Sequence, residues 1–367
     1  IIRERMPGES VPVYLQTKYD VRTTRLYSYA WIVYGFLYIP IQLKTVSSII
    51  QIVLPGLNLM VAMFIGVTIA VIYTSFSGMK GASAVGRVVC IGIYVLLICF
   101  VFTTLPKFGG FSGLLGELPE KYDSMGNMPT QRIVAWIVGG CISTAVMQAV
   151  LQPLLSAKSP EAARVGSILG YVIAAPICFF TAICGMLSKA SGADLGDGST
   201  AFAYAIKTFS SPVFAGIIFA FATMIIAATM ATMMLATGTI ITNVYKTEIN
   251  PDVDDAKVLK LSKTITFVFA YLTLIPAFLI PSKSLTNLFL TLQHVAAAPV
   301  SFSILAGLLW KKTTKQGAFW SMLTGMITGV AWMLLGLTDI VEAVYPVVVV
   351  TYGVGIIVSL MTYKEKN

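Results

Sequence analysis

Charge is what this 367-residue sequence has least of. Only 11% of its residues are charged, against 57% hydrophobic, where a soluble domain carries about 25% charged residues. That shortage excludes a soluble enzyme, a nucleic-acid binder and a disordered chain. Histidine occurs once, so a His-rich metal site is excluded. The five cysteines (Cys90, Cys99, Cys141, Cys178 and Cys184) all sit in apolar runs. They read as buried thiols, neither disulfides nor metal ligands. No acidic side chain lies in the interior of an apolar run. A proton pump or a membrane-embedded acid–base enzyme would need one there, or a pair of histidines. No enzymatic activity and no cofactor is expected.

What is present is long apolar runs. Ten are long enough to cross a hydrocarbon layer of ~30 Å: 27–50, 56–76, 84–104, 133–155, 165–188, 212–242, 261–281, 285–310, 317–337 and 341–362. Unbroken runs of this length exclude a barrel of short alternating strands. The sixth is longer than a crossing needs, so it extends past the membrane at its Tyr245 end. The loops 105–132 and 189–211, with Gly109, Gly110 and Gly113 in the first and Gly192, Gly196 and Gly198 in the second, read as turns or short surface helices.

The loop charges orient these spans. Eighteen Lys and Arg fall in one set of loops, among them Arg3, Lys18, Arg25, Lys80, Lys158, Lys260, Lys312 and Lys366. Six fall in the other: Lys107, Lys121, Arg132, Lys189, Lys207 and Lys283. The richer set is cytoplasmic. Both chain ends then face the cytoplasm, as an even number of spans requires, and the membrane is the plasma (inner) membrane.

Few polar groups lie within the spans. Lys44, near the outer end of the first, is expected to snorkel to the headgroups, with a buried partner or a solute contact as the other reading. His294 lies deep in the eighth and reads as a neutral imidazole bonded to a neighbouring helix, or as a ligand or proton group. The fourth span carries Gly139-Gly140-Cys141-Ile142-Ser143-Thr144, then Gln148 and Gln152-Pro153. A glycine pair in mid-membrane marks either a point of unwinding whose freed backbone binds a polar solute or close helix packing. In the sixth, Thr223, Ala227-Ala228-Thr229, Thr232 and Thr237-Gly238-Thr239 read chiefly as small-residue packing.

Four stretches together resemble one family. Ser10-Val11-Pro12-Val13-Tyr14-Leu15-Gln16-Thr17-Lys18-Tyr19-Asp20 is similar to an inner loop of the form T-L-P-x-Y-L-x-x-R-Y-G. Gln152-Pro153-Leu154-Leu155-Ser156-Ala157-Lys158-Ser159, with Glu161 to Arg164 after it, is similar to Q-R-x-L-x-A-K-S-x-x-E-A-R. Asn243-Val244-Tyr245-Lys246, then Ile249-Asn250-Pro251, is similar to D-I-Y-K-x-x-I-N-P. Ala298-Pro299 and Gly307-Leu308-Leu309-Trp310-Lys311-Lys312-Thr313-Thr314 complete the set. The chain thereby resembles the sodium/solute symporters, relatives of the sodium-coupled proline, pantothenate and glucose carriers.

The resemblance implies an all-α multi-spanning membrane protein with a partial LeuT-type inverted-repeat fold of about ten helices. Residues 1–26 would be a cytoplasmic loop, and 27–104 the last three helices of the first repeat. An extracytoplasmic loop, 105–132, would lead to the second repeat, 133–310. Residues 311–367 would hold two accessory helices and a cytoplasmic tail. The helices that precede the Ser10–Asp20 loop in the family, among them the broken first core helix that lines solute and sodium sites, are not in this sequence. It opens at Ile1 without Met, so a partial sequence or a truncated product is expected.

The family also implies a function: alternating-access transport of a small polar organic solute. Substrate contacts would be Gly139, Gly140, Ser143, Gln148 and Gln152, completed by Gln42 and His294. Sodium coupling is the family's mode, but the ion-linked residues differ here. An Asp of the segment matching Tyr73–Val89 is Gly86, and the hydroxyl pair of the sixth span falls on Ala227-Ala228, with Thr229 next in line. Methyl groups cannot replace the oxygen donors that Na⁺ needs, so the ion site is expected to be degenerate. The other reading of these losses is a non-transporting sensor or receptor domain on the same fold. The topology is checked by tagging each chain end: an impermeant reagent on intact cells is expected to label neither.

Overall fold

Backbone amides inside a bilayer have no water to bond, so each crossing must satisfy itself as a helix. The computed structural model describes residues 2–6, 10–122, 128–195, 198, 200–280 and 285–364, without the side chains at 3, 76–85, 121, 255, 256, 286 and 339. Gly196, Lys283 and Lys366, and the side chains of Arg3, Lys80, Lys121 and Phe76 to Val85, thus lie outside the described residues. A short helix, α1 (Val11–Lys18), leads into α2 (Val21–Val53). Asp20 caps α2, its carboxylate accepting the Thr23 N–H at 2.8 Å. Then come α3 (Leu59–Thr104), α4 (Thr130–Thr144), α5 (Gln148–Leu155), α6 (Pro160–Ala190) and α7 (Ala201–Phe209). The rest are α8 (Pro212–Val244), α9 (Asp255–Leu272), α10 (Leu285–Leu292), α11 (Lys315–Leu334) and α12 (Val344–Thr362). Two Ser-Pro pairs set helix starts: Ser159 and Ser211 cap α6 and α8, each with proline at the first helical position.

Among the described residues eight helices are long and apolar enough to cross a membrane, and the bent pair α4–α5 makes a ninth candidate. The expected span 56–76 is the shorter apolar stretch Leu59–Ser75. It belongs to α3, whose 46 residues would measure about 69 Å if straight. Yet both ends of α3 sit at the same end of α2. Gly66 faces Leu43 and Val46, Phe100 shares a cluster with Ile49, and Lys107 and Lys207 reach the carbonyls of Phe209 and Ile52 at 3.3 Å. The helix therefore doubles back, and Leu59–Ser75 and Gly86–Phe108 are its two crossings.

Two buried clusters fill the bundle. One joins Ile49, Phe100, Leu114, Cys184, Ile206 and Phe219 at the end bearing the long loops. Those loops do form short helices, Gly110–Gly116 and α7. The other joins Tyr14, Trp31, Tyr34, Leu151, Met234 and Ile304. Beyond Val244, α8 widens into a π-helical turn, Tyr245–Ile249. Its Glu248 accepts from Arg25 Nε at 2.8 Å and from the Tyr29 hydroxyl at 3.0 Å, tying the ends of α2 and α8 together. Small residues in α8 pack as expected, Thr237 against Gly35 and Gly238 against Thr266.

Two expectations are corrected. Lys44 does not snorkel; it is 4% exposed, buried within the bundle. Of the cysteines only Cys184 is buried. Cys99, Cys141 and Cys178 are exposed on the outer faces of their helices and Cys90 is half-buried; all are free thiols.

The hairpin α11–α12 clasps the segment from α10 to Leu309 through glycines. Gly325 meets Pro299 and Thr351, Gly329 meets Val295 and Val347, and Gly355 meets the Phe302 ring. Gly355→Ala would drive a methyl into that ring and is expected to destabilise by about 1–3 kcal/mol. Gly353→Ala, with nothing within 4 Å, is expected to leave the thermal unfolding midpoint in detergent unchanged or slightly raised.

Candidate functional site

The fourth crossing is not one helix. It runs as α4 and α5, bent by 46°. The interruption is not at Gly139-Gly140, for which unwinding was one of two readings; both glycines stay inside α4. It lies at Ala145–Met147, with Met147 extended at φ −69°, ψ 128°. The residues on either side of it are held from outside. Ser143 Oγ donates to the Gln293 carbonyl at 3.2 Å, and Gln148 Oε1 accepts the Val11 N–H of α1 at 2.8 Å, both buried. Gln148 Nε2 is buried with no partner. A buried amide donor left so costs about 1–3 kcal/mol, and is an open position for an acceptor.

The wall facing the interruption is irregular too. After α10 the backbone takes a π turn at Gln293–Ala297, a 3₁₀ turn at Ala298–Val300 and a second π turn at Phe302–Ala306. Such turns insert a residue and re-aim side chains, and they collect at functional sites. Here they aim Gln293 Nε2 at Met147 Sδ, 4.0 Å away. They also seat the His294 ring against Gly139 and Val344. The glycine at 139 is thus explained by close packing, since a methyl there would occupy the imidazole's place. His294 is 1% exposed, and its Nε2 has no partner, so the expected bond to a neighbouring helix is not made at that nitrogen. Gly140 has open space.

On α2, Gln42 Nε2 donates to the Tyr38 hydroxyl at 3.2 Å. Tyr38 and Met147 line a cavity of about 420 Å³, which also takes in Gly86, Tyr94, Ala228 and Thr229. Three of the four residues named for the ion site therefore do meet. Ala227 does not line the cavity and is buried in the core. The Thr229 and Thr232 hydroxyls both turn back onto their own helix, to the Ile225 and Ala228 carbonyls at 3.1 and 2.9 Å. The Tyr94 hydroxyl is buried and unpartnered. Gln152 is half-buried one turn below Gln148. Sequence reasoning missed Tyr38, Tyr94, Met147 and Gln293. The tyrosines looked like ordinary apolar-run residues, and Gln293 was passed over for its neighbour His294.

A family model described as the sodium:solute symporter family matches residues 10–325. The chain belongs to the sodium:solute symporter family. Among symporters of known sequence it is similar to the uncharacterized symporter YodF of Bacillus subtilis, 25% identical over 304 residues, 79% of this chain and 60% of that one. It is also similar to the high-affinity proline transporter PutP of the same organism, at 22% over 303 residues, 79% and 63% of the two chains. The sodium/pantothenate symporter of Escherichia coli is 25% identical over 291 residues, 75% and 58%. The chain spans about three-fifths of the length of these relatives. In structure it resembles a Na⁺-coupled sialic acid symporter solved substrate-bound and outward-open. That match has a TM-score of 0.79 and 16% identity, and covers 100% of this chain and 80% of that one. The likeness is one of fold, an all-helical LeuT-type arrangement, and this symporter-family chain is a multi-pass membrane protein.

The single histidine makes the Gly139 contact directly testable. Gly139→Ala is expected to shift the ring resonances of ¹⁵N-histidine-labelled protein, while Gly140→Ala leaves them in place.

Proposed function

We propose that this chain carries the solute site of a secondary transporter that moves a small polar organic solute across the plasma membrane by alternating access, with both chain ends in the cytoplasm. The observation that supports this best is the interrupted crossing α4–α5 with Gln148 Nε2 buried and unpartnered beside it. An interrupted helix offers free backbone groups and re-aimed side chains at mid-membrane, where a carrier must hold its cargo equally near both sides. The solute would lie between Gln148, Gln293 and Ser143 on one side and Tyr38, Gln42 and Tyr94 on the other. Gly139, Gly140 and His294 form the outer wall and Gln152 sits beneath.

Apart from the His294 imidazole, all of these polar groups are uncharged amides, hydroxyls and backbone. Such a set recognises hydroxyls, amides or carbonyls by hydrogen bonding and offers no fixed charge to a strongly ionic cargo.

We further propose that sodium is held weakly or not at all. Sodium is a hard cation that needs oxygen donors. At the expected position Ala228 presents a methyl to the cavity, and the adjacent Thr229 hydroxyl is engaged with its own helix.

The full-length protein reconstituted in vesicles is expected to take up a labelled solute from a panel of proline, pantothenate, glucose and pyruvate, with little dependence on a sodium gradient. Steep sodium dependence would sink the reading of Ala228. Gln148→Ala is expected to lower apparent affinity by about tenfold, the equivalent of one buried hydrogen bond to cargo, without altering membrane insertion. Unchanged uptake would remove Gln148 from the pocket.

A further inference from the structure

We propose that α1 is an inner lid over the solute path, and that Gln148 and Tyr19 are the positioning residues that hold it shut. The inference rests on the transport reading for its purpose, but not for its test.

Helix α1 is buried along its first half and exposed at its last turn. Val11, Tyr14 and Leu15 are buried in the main cluster, while Gln16, Thr17 and Lys18 face out. Met6, just before it, is buried in the same cluster. Hydrogen bonds fasten this segment to other parts of the bundle. Val11 N–H donates to Gln148 Oε1 at 2.8 Å, the Tyr19 hydroxyl to the Ser303 carbonyl at 2.8 Å, and Arg5 to the Leu308 carbonyl at 3.1 Å. Gly307 leaves room for the Tyr14 and Tyr19 hydroxyls.

The first of these bonds is a cap made from another helix. A helix start leaves its first N–H groups without partners, and a serine before it usually supplies one. Ser10 stands in that place but makes no side-chain cap; Gln148 supplies the acceptor from α5. The same carboxamide thus joins the lid through its oxygen to the solute site through its free nitrogen.

Behind the lid runs a column of rings on α2. Tyr27, Trp31, Tyr34 and Tyr38 follow one another with centroids 5.9, 5.0 and 5.5 Å apart, and Tyr38 lines the cavity. The Tyr27 hydroxyl, Trp31 Nε1 and Tyr34 hydroxyl are buried and unpartnered, as is the Tyr14 hydroxyl on the lid itself. Burying polar heads without partners opposes closure, so the arrangement is poised against its three hydrogen bonds. Burial, and for Tyr19 the neighbouring Tyr14 as well, holds both lid hydroxyls above the ordinary tyrosine range, so they stay neutral at any working pH.

The test reads accessibility in the full chain, with the five native cysteines replaced and Leu15→Cys introduced. An impermeant maleimide is applied to inside-out vesicles. Val11→Pro removes the donor N–H at a position where proline is tolerated, after a residue already extended at φ −151°, ψ 156°. Val11→Pro and Tyr19→Phe are each expected to speed labelling about fivefold, the loss of one net hydrogen bond, at an unchanged thermal unfolding midpoint. Gln148→Leu should behave like them, whereas Gln148→Glu, which keeps an acceptor oxygen, should label at the parent's rate. Met6→Cys serves as a second reporter should Leu15→Cys itself loosen the helix. Equal rates in parent, Val11→Pro and Tyr19→Phe at both reporters would overturn the proposal. So would a parent that labels as fast as Gln16→Cys. A chain that labels as expected but moves no solute would overturn the transport reading and leave the lid standing.

Discussion

The structure depends on one constraint: no backbone polar group can be left open inside a bilayer. The helix that stops and restarts at Ala145–Met147 keeps that rule with its own turns, the N–H groups of Ala145, Val146 and Met147 donating to the Cys141, Ser143 and Thr144 carbonyls, while neighbouring elements fasten the residues on either side. Ser143 reaches the Gln293 carbonyl, Gln148 takes the Val11 N–H, and Met147 lies against Gln293. Those three contacts come from an N-terminal helix, the interrupted crossing and a π-turn segment far apart in sequence. Together they hold polar side chains against one another in an otherwise apolar bundle.

The same constraint explains the tight glycine contacts of α11 and α12. Two π turns and a 3₁₀ turn in one segment have poorer hydrogen bonds than an α-helix. They need lateral support, and Gly325, Gly329 and Gly355 let the last two helices come close enough to give it. The accessory hairpin therefore acts as a brace for the wall that aims Gln293 and His294. A brace of small residues transmits displacement, because close-packed interiors yield little before they shift.

Much of the fold was legible in the sequence for simple reasons. Spans are long apolar runs, and Asp20, Ser159 and Ser211 announce helix starts by chemistry that needs no tertiary context. The doubling back of α3 was legible too, from the separate runs 56–76 and 84–104. The site was only partly legible. A glycine pair is a weak sign of unwinding, because glycine serves close packing equally well, and at Gly139 packing against His294 is what it serves. The actual interruption carries neither glycine nor proline; the residues on either side of it are fastened by partners distant in sequence, which no local pattern records. Snorkelling of Lys44 failed likewise, since the sequence does not say that the bundle buries that end of α2.

The alanine at 228 bears on how such a carrier would be driven. In a sodium-linked cycle the ion's oxygen ligands tie two helices together, and losing them removes that link whatever the solute does. On the proposal that sodium is held weakly or not at all, something else would couple cargo to closure. On that proposal the carboxamide of Gln148 would do so: its oxygen caps α1, and its nitrogen is buried without a partner next to Met147, which lines the cavity. An acceptor on the solute that engaged Nε2 would orient the amide and fix the oxygen that holds Val11. A ligand shifts a conformational equilibrium only through contacts that differ between its states. This single side chain supplies such a contact without an ion.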